Sequence, residues 1–174
     1  MLLDLARLLL FPALTVFAGA SDLFSMTMSN RVSLALIAGF FVLAFAGGMP
    51  LHEMMLHISA GAAVLAVAFA LFARGIVGGG DAKVVASTAL WLGFPHLMDY
   101  LLAASLFGGA LAVSLLLFRR WPLPYALIHQ TWLLRLHHGE TGIPYGIALA
   151  FGALMVYPET DWVKAIDLAH LTIG

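Results

Sequence analysis

Val77-Gly78-Gly79-Gly80-Asp81-Ala82-Lys83 sets a carboxylate at the junction between two hydrophobic stretches, 54–73 and 82–94. Nine acidic residues serve all 174 positions, and 63% of the chain is hydrophobic. With a mean hydropathy of +1.02 and only 10% charged residues, it lacks the polar surface that a soluble globule needs. The solvent of this chain is a bilayer. An ionisable group at the edge of a membrane helix is costly, and is a functional candidate for that reason. Asp22 occupies an equivalent place, where the first apolar run gives way to polar residues.

A membrane span needs about 20 apolar residues, fewer where neighbouring helices shelter it. The sequence predicts one all-α domain over 1–174, a polytopic helix bundle of about six spans at 5–21, 32–49, 54–73, 82–94, 98–118 and 142–157. The fourth is short and is expected to begin inside protein rather than in lipid. Between the last two spans, the stretch 119–140 is more polar. Its Arg119, Arg120, Arg135, His137 and His138, with Trp121, Tyr125 and Trp132, suit an interfacial segment lying on the membrane. The first 20 residues end in Ala18-Gly19-Ala20, which mimics a signal-peptidase site. Asp4 offsets Arg7, however, and the segment is read as a retained helix.

Positive charge sets the orientation. Six spans bring Arg31, Arg74, Lys83, Arg119, Arg120 and Arg135 to one side and leave Arg7 and Lys164 on the other. The first side is expected to face the cytoplasm, with both termini outside, and Asp22 and Asp81 then share that side. A five-span arrangement with 82–94 re-entrant keeps the aspartates together and moves the C-terminus.

Two carboxyl groups at matching depth suit aspartate-catalysed peptide hydrolysis. One, ionised, takes a proton from water; the other, neutral, polarises the carbonyl. Gly78, Gly79 and Gly80 permit unusual backbone angles and close approach of a substrate strand. Unwound backbone there would offer hydrogen bonds to an extended peptide. Taken alone, an ordinary interhelical loop with Asp81 as a helix cap is the simpler reading. Asp22 alone reads equally well as a solvated loop residue.

Other chemistries fit less well. A phosphate-binding loop needs a Gly-Lys-Ser/Thr ending after a strand, whereas here Asp81-Ala82-Lys83 follows the glycines. The chain has no cysteine, which removes disulfides, thiolate metal sites and cysteine nucleophiles. His52 and His57 are spaced poorly for one helix face and lie on the predicted outer side. His137 and His138 are adjacent, and His96 and His129 read as loop residues. No metal or cofactor is expected. A net charge of −1 lacks the basic footprint of a nucleic-acid binder. A polytopic assembly scaffold, or a proton-coupled transporter using the same carboxylates, remains the alternative from these residues.

The aspartate neighbourhoods resemble the prepilin peptidases of the GxGD aspartic protease class, especially the short forms serving Flp-type tight-adherence pili. Gly78-Gly79-Gly80-Asp81-Ala82-Lys83 is similar to the GxGD-A-K signature. Asp22-Leu23, followed by Met26-Thr27-Met28-Ser29-Asn30-Arg31, resembles the first-aspartate segment, with Met28-Ser29 where Ile-Pro is common. Ile143-Pro144-Tyr145-Gly146 resembles the Pro-Tyr-Gly element that opens the last span.

The resemblance implies Asp22 and Asp81 as the catalytic pair, supported by Asn30, Lys83, the three glycines, Pro144, Tyr145 and Gly146. It implies a prepilin substrate with a short basic leader followed by a hydrophobic helix, cut after a glycine on the cytoplasmic face of the bacterial inner membrane. Membrane lipid and other pilus-assembly proteins are the remaining expected partners. Larger relatives also methylate the new N-terminus through an insertion with zinc-binding cysteines. The resemblance therefore implies cleavage without methylation for this cysteine-free chain.

Overall fold

The computed structural model describes residues 1–123, 129–138 and 142–166. They form α1 (Leu2–Ser25), α2 (Asn30–Ala46), α3 (Leu51–Ala73), α4 (Gly79–Arg120), α5 (Thr131–His137) and α6 (Tyr145–Val156). A 3-10 turn (Tyr157–Glu159) and the short α7 (Asp161–Lys164) follow. No strand occurs among the described residues, and the fold is an all-α bundle as expected. By length and composition α1, α3 and α4 can each cross a membrane, and α2 is a shorter apolar helix. Large apolar side chains such as Leu9, Phe17, Val42, Phe69, Leu106 and Val113 point outward, where lipid would meet them.

The 42 residues of α4 are too many for one crossing of about 30 Å. The helix is broken at Gly93, whose φ of 64° and ψ of −179° are not helical. Asp81 and Gly108 line one cavity, although a straight helix would hold them about 40 Å apart. Tyr100 likewise meets Thr88 from beyond the break. The two arms of α4 therefore run antiparallel and correspond to the expected spans 82–94 and 98–118. The first arm is the buried centre of the bundle: Ala82, Val84 and every residue from Ala86 to Gly93 are buried.

The reversal is closed by side chains from elsewhere. Pro95 has no N–H, so the Trp91 carbonyl lacks its helical donor; Trp162 Nε1 donates to it at 2.9 Å. His57 Nδ1 lies 2.8 Å from the Leu90 carbonyl. A carbonyl left bare at membrane depth would cost several kcal/mol, so these partners are required rather than decorative. Trp91 Nε1 in turn donates to Leu36 O of α2 at 2.8 Å. Phe11 and Tyr157 stack at 4.4 Å, and Trp91 and Trp162 approach to 5.2 Å. Tyr157 Oη donates to the Arg7 carbonyl at 2.6 Å, fastening the last turns to α1.

Helix α6 lies between α1 and the second arm of α4 because small residues let backbones meet. A β-carbon on Gly19 would sit 2.9 Å from Ala150 Cβ, and one on Gly152 would sit 2.8 Å from Ala104 N.

The structure corrects several boundaries. Helix α1 does not stop at residue 21, because its polar side chains find partners without leaving the helix: Ser25 Oγ donates to Ser21 O at 2.6 Å. It ends instead at Met26, at φ 53°. Helix α6 is shorter than 142–157, and its N-cap is Pro144. His96 is helical rather than in a loop, since the chain reverses within so few residues. Part of the stretch 119–140 folds over the end of the bundle. Arg119 Nε donates to Leu136 O at 2.8 Å, and Trp132 meets Phe24 edge-on at 5.7 Å. Tyr125 and Glu140 lie outside the described residues.

Candidate active site

Asp22 sits in the last turns of α1 and is only 6% exposed, which rules out the solvated-loop reading. Burial of a carboxylate demands a donor. The backbone N–H of Gly146 supplies it, 2.7 Å from Asp22 Oδ2. Gly146 belongs to the first turn of α6, where helix amides lack internal partners and favour negative charge. A β-carbon on Gly146 would lie 2.9 Å from both Asp22 Cβ and Oδ2, and would overlap Met28 Cε. Only a glycine fits there.

Asp81 belongs to the first turn of α4, and the helix cap is Gly78. The capping role considered for Asp81 is therefore filled by another residue. None of the three glycines has a positive φ. Their use is space rather than backbone freedom, which corrects the expectation from sequence. A β-carbon on Gly80 would meet Met28 Cβ at 2.7 Å, one on Gly79 would meet the Phe72 ring at 3.0 Å, and one on Gly78 would meet Asp81 Oδ2 at 2.9 Å. The backbone from Arg74 to Gly78 is non-helical and leads directly into Asp81.

Met28 is the residue that reading the sequence for chemistry passes over. It contacts Gly80 on the Asp81 side and Gly146 on the Asp22 side, so one flexible thioether spans the gap between the two neighbourhoods. The carboxylates are close enough for the charge of Asp22 to act on Asp81. At one edge, Lys83 Nζ donates to Asn30 Oδ1 at 2.7 Å and ties the start of α4 to the start of α2. Ser29 caps α2, its hydroxyl accepting from Arg31 N at 3.2 Å. That is how the turn forms with serine where proline is usual in the resemblance. Pro144 is buried, and Tyr145 rests on Gly108 at about 3.2 Å from where a β-carbon would be.

All the residues singled out from sequence thus gather at one end of the bundle. Two histidines have other partners: His57 serves the reversal at Leu90, and His137 Nε2 lies 2.9 Å from Trp121 O. Among the described residues no three His, Asp or Glu side chains group as metal ligands.

Comparison with curated proteins and with solved structures gave no match. The profile of the type IV leader peptidase family matches residues 9–113, well over half the chain, a stretch that carries both Asp22 and Asp81 and ends before Gly146. On that match, this multi-pass helical membrane protein belongs to the type IV leader peptidase family.

Proposed function

We propose that the chain is an aspartic endopeptidase of the GxGD kind that removes the short leader from a Flp-type prepilin at the cytoplasmic face of the bacterial inner membrane. The observation that supports this reading is that Asp22, held by the Gly146 N–H, and the Gly80–Asp81 start of α4 lie on the two sides of Met28.

The chemistry follows from the pair. A water between the carboxyls gives its proton to the ionised partner and attacks the scissile carbonyl, while the neutral partner donates its proton to the carbonyl oxygen. The gem-diol intermediate then collapses: one hydroxyl returns its proton to the carboxylate that had acted as acid, and the carbonyl re-forms. The C–N bond breaks, and the proton held by the base passes to the leaving amine, which restores the pair. The Gly146 N–H is a donor to the charged form of Asp22, which makes Asp22 the natural base and Asp81 the natural acid. Gly80 and Gly79 keep the Asp81 turn close to Met28 and Phe72. The Lys83–Asn30 hydrogen bond holds the α2 and α4 starts in register. With no cysteine anywhere in the chain, a cysteine zinc site for methyl transfer is lacking, and the product is an unmethylated N-terminus.

The test is co-expression with a Flp-type prepilin, reading substrate mass for wild type, Asp22→Asn and Asp81→Asn. Loss of the leader with wild type, and uncut prepilin with both inserted variants, is the expected result. Variants that still cleave would make the aspartates structural, as in an assembly scaffold. Flux without cleavage would favour a proton-coupled transporter.

A further inference from the structure

Beside Asp81 opens a groove of about 700 Å³ between α3 and the second arm of α4, closed at its base by α6. Val67 and Leu71 form one wall, Leu101, Ser105 and Gly109 the other, and Asp81 is the single charged residue of the lining. On the same arm, Leu106, Val113 and Leu116 face outward as large apolar side chains. Beyond Leu97 and Leu101, the groove side of this arm carries only small residues, Ala104, Ser105, Gly108 and Gly109. Ser105 and Gly109 lie one turn apart there, and nothing stands within 4 Å of where a Gly109 side chain would begin. Helix faces of this kind admit another helix backbone.

We propose that this groove seats the apolar helical stretch of the substrate next to the scissile bond, with Ser105 and Gly109 setting the girth it accepts. The proposal rests on the peptidase reading, because it is continuity with Asp81 that identifies the occupant. A chain lying in the groove arrives with its end at the carboxylate and at the unwound Ile76–Gly78 backbone, both of which line the same space. The wall from Leu97 to Gly109 is about 18 Å long, which matches about three turns of helix. A second groove of about 530 Å³, between α2, α3 and the first arm, lacks this continuity. Its polar mouth is the Lys83–Asn30 hydrogen bond, and Asp81 does not line it.

The experiment uses the full chain carrying Asp81→Asn, so that substrate is not consumed. A photo-crosslinking phenylalanine analogue replaces Gly109, or Ala62 of the second groove, in membranes that also contain a Flp-type prepilin. Capture of the prepilin's apolar stretch from position 109 and not from 62 is the expected result. Capture from 62 alone, or from neither, overturns the proposal. In the otherwise wild-type chain, Gly109→Leu fills open space and is expected to raise KM for the whole prepilin about tenfold with little change in kcat. A short leader peptide that lacks the apolar stretch should be cut as by wild type. Equal loss on both substrates overturns the groove. Cleavage by wild type without capture at 109 overturns the groove alone, whereas failure of wild type to cleave any prepilin overturns the peptidase reading beneath it.

Discussion

Two carboxyl groups that feel each other's charge lose their protons one after the other, as a unit. Hydrolysis needs the state with one proton between them, so the rate of leader removal should fall at low pH, where both are protonated, and at high pH, where both are ionised. A bell-shaped profile of kcat/KM is the expected outcome, and a flat profile across both limbs would count against the pair. Gly146 offers a sharper test. Alanine there meets Asp22 Cβ and Oδ2 at 2.9 Å and overlaps Met28, so Asp22 must move or lose its donor. Misplacement on this scale costs about 100-fold in rate, and it should leave helix content and membrane insertion intact by circular dichroism and fractionation. Asp22, Asp81, Gly146, Asn30 and Lys83 stood out in the sequence because each sits in a motif, though the hydrogen bond between Lys83 and Asn30 was not foreseen. Met28 was not. A methionine in an apolar chain carries no signal of its own, and only the folded contacts with Gly80 and Gly146 reveal its place.

At the level of the helix, the reversal of α4 carries the most specific demand. Gly93 combines positive φ with extended ψ, a region open in practice to glycine alone, and a β-carbon there would also lie 3.0 Å from the His57 ring. Gly93→Ala should destabilise the bundle by about 1–3 kcal/mol. Trp162→Phe keeps the ring contacts and removes the donor to Trp91 O, at a cost of about 1–3 kcal/mol for the bare carbonyl. Both should lower the thermal unfolding midpoint in detergent, and an unchanged midpoint for Trp162→Phe would show that this carbonyl finds another partner. The apolar runs made the helices legible, including separate fourth and fifth spans, but not the role of Gly93 and Pro95 in the reversal between them. What the runs could not convey was how α1 would end. Its polar residues looked like a loop because reading along the chain does not show that Gly146, far away in sequence, satisfies Asp22.

The whole molecule makes a prediction about sidedness. With six crossings and the positive charges gathered beside the aspartates, the Arg74 end of α3 should face the cytoplasm and the His52 end the outside. The chain has no cysteine, so single substitutions Arg74→Cys and His52→Cys can be read directly with a membrane-impermeant thiol reagent. Labelling at 52 in intact cells, and at 74 only after the inner membrane is opened, is expected; the reverse would invert the topology. Charge counting is what yields this expected orientation from sequence, because it sums over many residues. The grooves were not legible, since each is made by helices from distant parts of the chain and consists mostly of residues unremarkable in sequence.

The hydrogen bond from Gly146 to Asp22 also has a meaning in time. A ribosome delivers Asp22 first, Asp81 next and Gly146 after both, with Trp162 later still. Until α6 has entered the bundle, Asp22 lacks its donor, and until Trp162 is in place the Trp91 carbonyl lies open. A chain still being synthesised therefore carries both acids before the groups that hold Asp22 and close the α4 reversal exist, and the arrangement around them assembles only once α6 and Trp162 have emerged.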